Sequence, residues 1–149
     1  MRSLRKSLCL FLFLSLALFV FPVGLTTAFA ESDKETKGSG EANDPYIVHN
    51  WEALRSLLGG DDRFLYIQLG EDITCTNPTS ENYLFIPENK KHYLDLNGFT
   101  IDRGLSGKKA IENGFVLKIA GGGQLEILPG SADGNGCFTG GNNTGNGGG

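Results

Sequence analysis

The chain has 149 residues and a formal net charge of −4, with 13 basic against 17 acidic residues and 22 glycines. That length suits one small domain. An acidic balance whose only basic doublets beyond Arg5-Lys6 near the start are Lys90-Lys91 and Lys108-Lys109 argues against nucleic acid, whose phosphates need a concentrated Lys/Arg surface.

Arg2, Arg5 and Lys6 give the chain a positive start, Leu8 to Val23 is an uncharged run rich in Leu and Phe, and Ala28-Phe29-Ala30 follows. Small residues at Ala28 and Ala30 complete the pattern of a secretory signal peptide over residues 1–30, cleaved to leave Glu31 at the new N-terminus. An uncleaved anchor is the competing reading, because counting Leu25 brings the apolar stretch to the lower edge of a bilayer-spanning length. Pro22, Gly24 and the Ala-x-Ala pattern favour cleavage. The location implied is secreted or cell surface, with the membrane touched only through the leader. Losing Arg2, Arg5 and Lys6 leaves 10 basic against 17 acidic residues and a net charge of −7. Cys9 leaves with the leader. A disulfide between the remaining Cys75 and Cys137 would stabilise by about 4 kcal/mol, but nothing in the pattern brings them together, and two separate, semi-buried thiols are the expectation.

Residues 31–43 are polar and contain Gly38-Ser39-Gly40, so they read as a flexible linker. Asp44-Pro45 marks a turn into the β-prone Tyr46-Ile47-Val48. One helix follows. Asn50 suits its N-cap, Glu52 its first turn, and Gly59-Gly60 its end, with Trp51, Leu54, Leu57 and Leu58 on one face. A helix this short does not persist alone, so the stripe must dock.

After Phe64–Leu69, a near-continuous apolar strand, one unit recurs: two large apolar residues separated by one, then a breaker. Leu84-Phe85-Ile86 precedes Pro87, Leu94-Asp95-Leu96 precedes Asn97-Gly98, Leu117-Lys118-Ile119 precedes glycines, and Leu125-Glu126-Ile127 precedes Leu128-Pro129-Gly130. Short strands of this kind suit a solenoid, although their spacing follows no strict period. Residues 44–133 thus form the ordered part. From Gly134 to Gly149, eight of sixteen residues are Gly and four are Asn, which reads either as a low-complexity tail or as the tight corners of further coils in a truncated chain.

No residue set for chemistry emerges. The carboxylate candidates Asp61-Asp62, Glu71-Asp72, Asp95 and Asp102 fit solvated turns, and adjacent acids on a strand point to opposite faces. His49, His92, Cys75 and Cys137 are not at metal-ligand spacing, and neither an EF-hand nor a calcium-binding glycine repeat is present. The expectation is therefore no catalytic residue, no metal and no cofactor. Of the aromatics Tyr46, Trp51, Tyr66, Tyr83 and Tyr93, strand parity turns Tyr93 away from Leu94 and makes it the candidate for stacking on a ligand, with packing the commoner use of such rings.

Three stretches carry a resemblance. Gly38 to Val48 followed by Trp51-Glu52-Ala53-Leu54 resembles the opening of many bacterial surface proteins, and Leu69-Gly70-Glu71-Asp72-Ile73 the strand that follows it. Leu94-Asp95-Leu96-Asn97-Gly98-Phe99-Thr100-Ile101 resembles a rung of the right-handed parallel β-helix proteins. The resemblance implies an all-β fold, a right-handed parallel β-helix with a short N-terminal capping helix. In that fold Leu94, Leu96, Phe99, Ile101, Leu117, Ile119, Leu125 and Ile127 would fill the coils, while Trp51, Leu54 and Leu58 would seal the first of them. Members of this group include adhesins and polysaccharide-degrading enzymes, so the fold does not choose a function. The reading taken is a secreted or cell-surface scaffold acting as a binding or adhesion module, toward surface glycans or other extracellular proteins. The alternative is the N-terminal part of a polysaccharide lyase or glycoside hydrolase whose active site lies beyond residue 149.

Overall fold

The computed structural model describes residues 36–130 and 135–145. The leader pattern, with Ala28 and Ala30, lies outside them. Strand β1 (Tyr46–Val48) leads into helix α1 (Trp51–Gly59), and eight strands follow: β2 (Phe64–Leu69), β3 (Ile73–Thr74), β4 (Leu84–Ile86), β5 (Lys91–Asp95), β6 (Thr100–Asp102), β7 (Leu117–Ile119), β8 (Gln124–Leu128) and β9 (Cys137–Thr139). The class is all-β with parallel sheets and one short helix. The strands form a four-stranded sheet in the order β1-β2-β5-β8, a three-stranded sheet β3-β6-β9 and a two-stranded sheet β4-β7. Every strand–strand pairing is parallel. Each of the strands β2, β3 and β4 pairs with the strand three places later in the chain, and β5 and β6 repeat the step with β8 and β9.

Register puts like residues in rows. Tyr46, Ile67, Leu94 and Ile127 lie side by side, as do Leu65, His92 and Leu125. Their neighbours along each strand point the other way, since side chains alternate across a sheet. The inward rows build the interior. Val48, Leu54, Leu58, Leu69, Leu84, Ile86, Leu94 and Ile101 are fully buried, with Trp51 close behind. Helix α1 starts where the Asn50 side chain accepts from the Ala53 N–H at 2.8 Å, and it ends where the Gly60 N–H reaches the Leu57 carbonyl. Its Trp51, Leu54 and Leu58 face inward, and the helix packs on β4. The corner after β5 is made by Asn97 and Gly98 at φ 49° and 81°, a backbone region open to Gly and tolerated by Asn.

Two sequence expectations are corrected here. The stretch 36–43 is not a free linker: Lys37 bridges to Ile47, Ser39 and Gly40 donate to the Asp44 carbonyl, and the Gly40 carbonyl accepts from Tyr66. A Cβ on Gly38 would lie 2.0 Å from the Pro45 carbonyl oxygen, so that glycine permits a close backbone approach rather than looseness. Within the glycine-rich end, Cys137–Thr139 forms a strand paired in parallel with β6. Finally, Ile119 and Ile127 stand 43% and 45% exposed, although their register partners Ile86 and Leu94 are fully buried. The side chains sit in the interior rows, but among the described residues no strand lies on the far side of β7 or β8 to cover them. Leu117, Leu125 and Phe99 are partly buried against the core, and Leu96 is buried. Cys75 is buried, Cys137 is exposed, and both are free thiols.

Candidate functional site

The outer face of the four-stranded sheet gathers the candidate side chains. Its rows are Phe64–Lys91–Gln124, then Tyr66–Tyr93–Glu126, then Ile47–Gln68–Asp95–Leu128. Parallel pairing without slippage brings the two tyrosines together, with ring centroids 4.3 Å apart and planes within 4°. Lys91 sits 4.6 Å from the Tyr93 ring centre and pairs with Glu126 at 3.2 Å. Because Glu126 belongs to β8, the ammonium is drawn to the side of Tyr93 away from β2, where Tyr66 lies. Both faces of the Tyr93 ring are thus engaged, and a ligand would meet its edge and hydroxyl. Phe64 is the open ring of this face, 55% exposed, with the Arg63 guanidinium 5.3 Å from its centre.

Electrostatics tie the row together. Partial burial pushes the Tyr66 hydroxyl above its usual pKa, and Tyr93 beside it adds to the rise. Tyr93 first and Glu126 second hold the Lys91 ammonium above its usual value. Below this row, the Gln68 amide donates to Asp95 at 2.7 Å. The face therefore offers one open ring, phenol hydroxyls, an amide and carboxylates on a pleated surface.

The carboxylates weighed from the sequence are held in corners. Asp95 accepts from the Asn97 N–H at 2.7 Å, Asp102 from the Gly104 N–H at 2.7 Å, and Asp72 from the Thr100 N–H at 2.8 Å. Glu71 lies 3.7 Å from His49. Lys90 donates to the Asp61 carbonyl. Among the described residues no group of three or more His, Cys, Asp or Glu is placed to hold a metal ion, and no helix is long and apolar enough to cross a membrane.

Two polar side chains lie in the interior: Arg103, which the sequence did not single out, and His92, weighed from the sequence only as a metal ligand. His92 is fully buried in the inward row between Leu65 and Leu125. Arg103 is fully buried as well; it donates to the Thr79 carbonyl at 2.6 Å and to Cys75 Sγ at 3.0 Å, and lies 5.3 Å from the Trp51 ring centre. Burial raises the pKa of the Cys75 thiol, with the nearby Arg103 opposing, and burial lowers that of Arg103. Strand parity holds the signal for both: His92 is two residues before the inward Leu94, and Arg103 two after the inward Ile101.

No family model matches this chain, and neither a curated protein nor a solved structure matches it.

Proposed function

We propose that this chain is a secreted or cell-surface scaffold, a right-handed parallel β-helix in which β2–β4, β5–β7 and β8–β9 are successive coils, acting as a binding or adhesion module for glycans. The supporting observation is the outer face of the four-stranded sheet. Phe64 presents an open apolar ring beside the edges of Tyr66 and Tyr93, and Gln68 and Asp95 line the next row. Sugar rings carry apolar C–H faces bordered by hydroxyls, and such a surface meets both kinds of group. Other extracellular proteins are a second class of partner for a flat face of this composition.

The test is binding of the exported chain to immobilised polysaccharides. Phe64→Ala should weaken binding about tenfold, the worth of one good aromatic contact. Tyr93→Phe, which removes only the hydroxyl, should weaken it less. Retention by no polysaccharide, or an undiminished affinity in Phe64→Ala, would overturn the glycan reading. Export itself rests on the Arg2-to-Ala30 pattern, and N-terminal sequencing of the exported protein should begin at Glu31. A protein that still begins at Met1 would be anchored instead.

A further inference from the structure

Helix α1 and strand β4 meet along an open groove of about 700 Å³, within the range of sites that hold small ligands. One side of it is aromatic. Tyr83 and Phe85 line it, half-buried and edge-on to each other at 6.3 Å, and Phe115 packs edge-on against Tyr83 at 4.8 Å. Gly59 and Gly60 line the groove where the helix ends and hang no side chain over it. A Cβ on Gly59 would already touch the Phe85 carbonyl, 3.8 Å away.

The rest of the groove has negative charge to spare. Glu52 and Glu81 bring carboxylates to it and Arg55 a guanidinium. Arg55 pairs with Glu52 at 3.4 Å and donates to the Glu81 backbone carbonyl at 3.4 Å, so its charge is answered within the wall. The Glu81 carboxylate has neither an ion pair nor a hydrogen bond among the described residues. The last turn of α1 also borders the groove and carries no basic residue, and outward carbonyls and the helix dipole make that end negative. Lys118, the outward register partner of Phe85 on β7, does not line the groove.

Aromatic rings, a free carboxylate and a helix C-terminus all favour an organic cation. An acidic sugar or a polyanion would be repelled by Glu52 and Glu81, and the chain's excess of acidic residues, 17 against 13, attracts the opposite sign. Size narrows the choice further. One lysine side chain would leave most of the volume empty, whereas a short run of sugar rings fills such a groove and lays apolar C–H faces on the aromatic side.

We propose that the groove between α1 and β4 binds amino sugars in their ammonium form: Tyr83 and Phe85 take the C–H face of the ring, and Glu81 pairs with the ammonium near the end of α1. The groove lies apart from the outer face of the four-stranded sheet and does not depend on it. Arg55 is the resident competitor, since it occupies Glu52 and its charge opposes that of the ligand. Binding of this kind weakens as salt rises, because the pairing groups are exposed.

The probe is a short glucosamine oligomer, titrated calorimetrically into the full chain at about pH 6, where the sugar amine and both carboxylates are charged. It should bind, and its fully N-acetylated counterpart, which has the same rings without the charge, should bind about tenfold more weakly. Glu81→Gln and Phe85→Leu should each weaken binding of the glucosamine oligomer about two- to fivefold. Arg55→Gln should tighten it by a similar factor, an effect that a merely structural role for Arg55 would not produce. Glu41→Gln, at an exposed acid outside the groove, should leave the affinity unchanged. No binding of the glucosamine oligomer, or equal binding of the acetylated one, would overturn the proposal, and neither comparison needs a variant. So would wild-type affinity in Glu81→Gln, or weaker binding in Arg55→Gln, which would make the guanidinium a ligand contact. An oligolysine of matching charge bound as tightly as the sugar would count against it equally, since the groove would then select charge alone.

Discussion

Leu54→Asp should unfold the protein at room temperature, while Arg55→Asp one position along leaves it folded. Leu54 is fully buried on the inward face of α1. Truncating a buried Leu costs about 2–5 kcal/mol, and an unpaired carboxylate in its place adds several more. Small domains are stable by only about 5–15 kcal/mol, so the sum reaches the whole margin. Arg55, in contrast, is exposed and makes a 3.4 Å contact with Glu52 one turn earlier. Reversing its charge replaces an attractive pair by a repulsive one, an effect of about 1 kcal/mol at most. Thermal unfolding with sedimentation separates the cases. The Leu54 variant should also self-associate, because the strands that α1 covers become exposed. Equal behaviour of the two variants would mean that α1 is not needed to close the interior.

Much of the fold was legible because local chemistry and tertiary structure agree. Asn50, Glu52 and Gly60 mark the helix with the residue types its ends require, and the structure places α1 between Asn50 and Gly60. The alternation in Leu94-Asp95-Leu96 predicts which side chains turn inward. What the sequence hides is pairing at long range. Residues 36–43 look like a linker by composition, yet their backbone is committed to Ile47, Asp44 and Tyr66. Strand β9 is only three residues long in a glycine-rich stretch, and it is its pairing along β6 that marks it as a strand. Ile119 and Ile127 have interior parity but, among the described residues, no strand beyond them, and a pattern read along one strand cannot count its neighbours.

The candidate site was less legible than the fold. Parity placed Tyr93 on the outer face, but its rings and charges meet only because β2, β5 and β8 align without slippage. Phe64 is hidden in a run that reads as near-continuously apolar, yet it stands exposed at the strand's start. Arg103 was passed over because a basic residue is normally assigned to solvent, and His92 was weighed only for metal-ligand spacing, which does not register burial.

Arg103→Ala should be nearly as damaging as a charge in the helix. The guanidinium closes the interior from one side: it holds the Thr79 carbonyl, touches Cys75 Sγ and lies against Trp51. The same loop is tied internally by Asn82, which bonds the Asn77 carbonyl and the Thr79 N–H, and its Asn82 carbonyl accepts from the Trp51 indole at 2.8 Å. One side chain therefore links α1, the loop before β4 and the end of β6. Alanine leaves a cavity the size of the lost stem and two unmet acceptors, and the expected loss is about 3–5 kcal/mol. Arg103→Met separates the two causes. It refills most of the volume and removes a buried cation that has no carboxylate among its hydrogen-bond partners, a change that is often tolerated. The Thr79 carbonyl still lacks its donor, so a deficit of about 1–3 kcal/mol should persist. Urea unfolding of the three proteins gives the comparison, with the order wild type, then Met, then Ala. A Met variant as unstable as Ala would show that the hydrogen bonds, rather than the filled volume, hold this corner. An Ala variant as stable as the wild type would mean that the buried arginine contributes nothing to closing the fold.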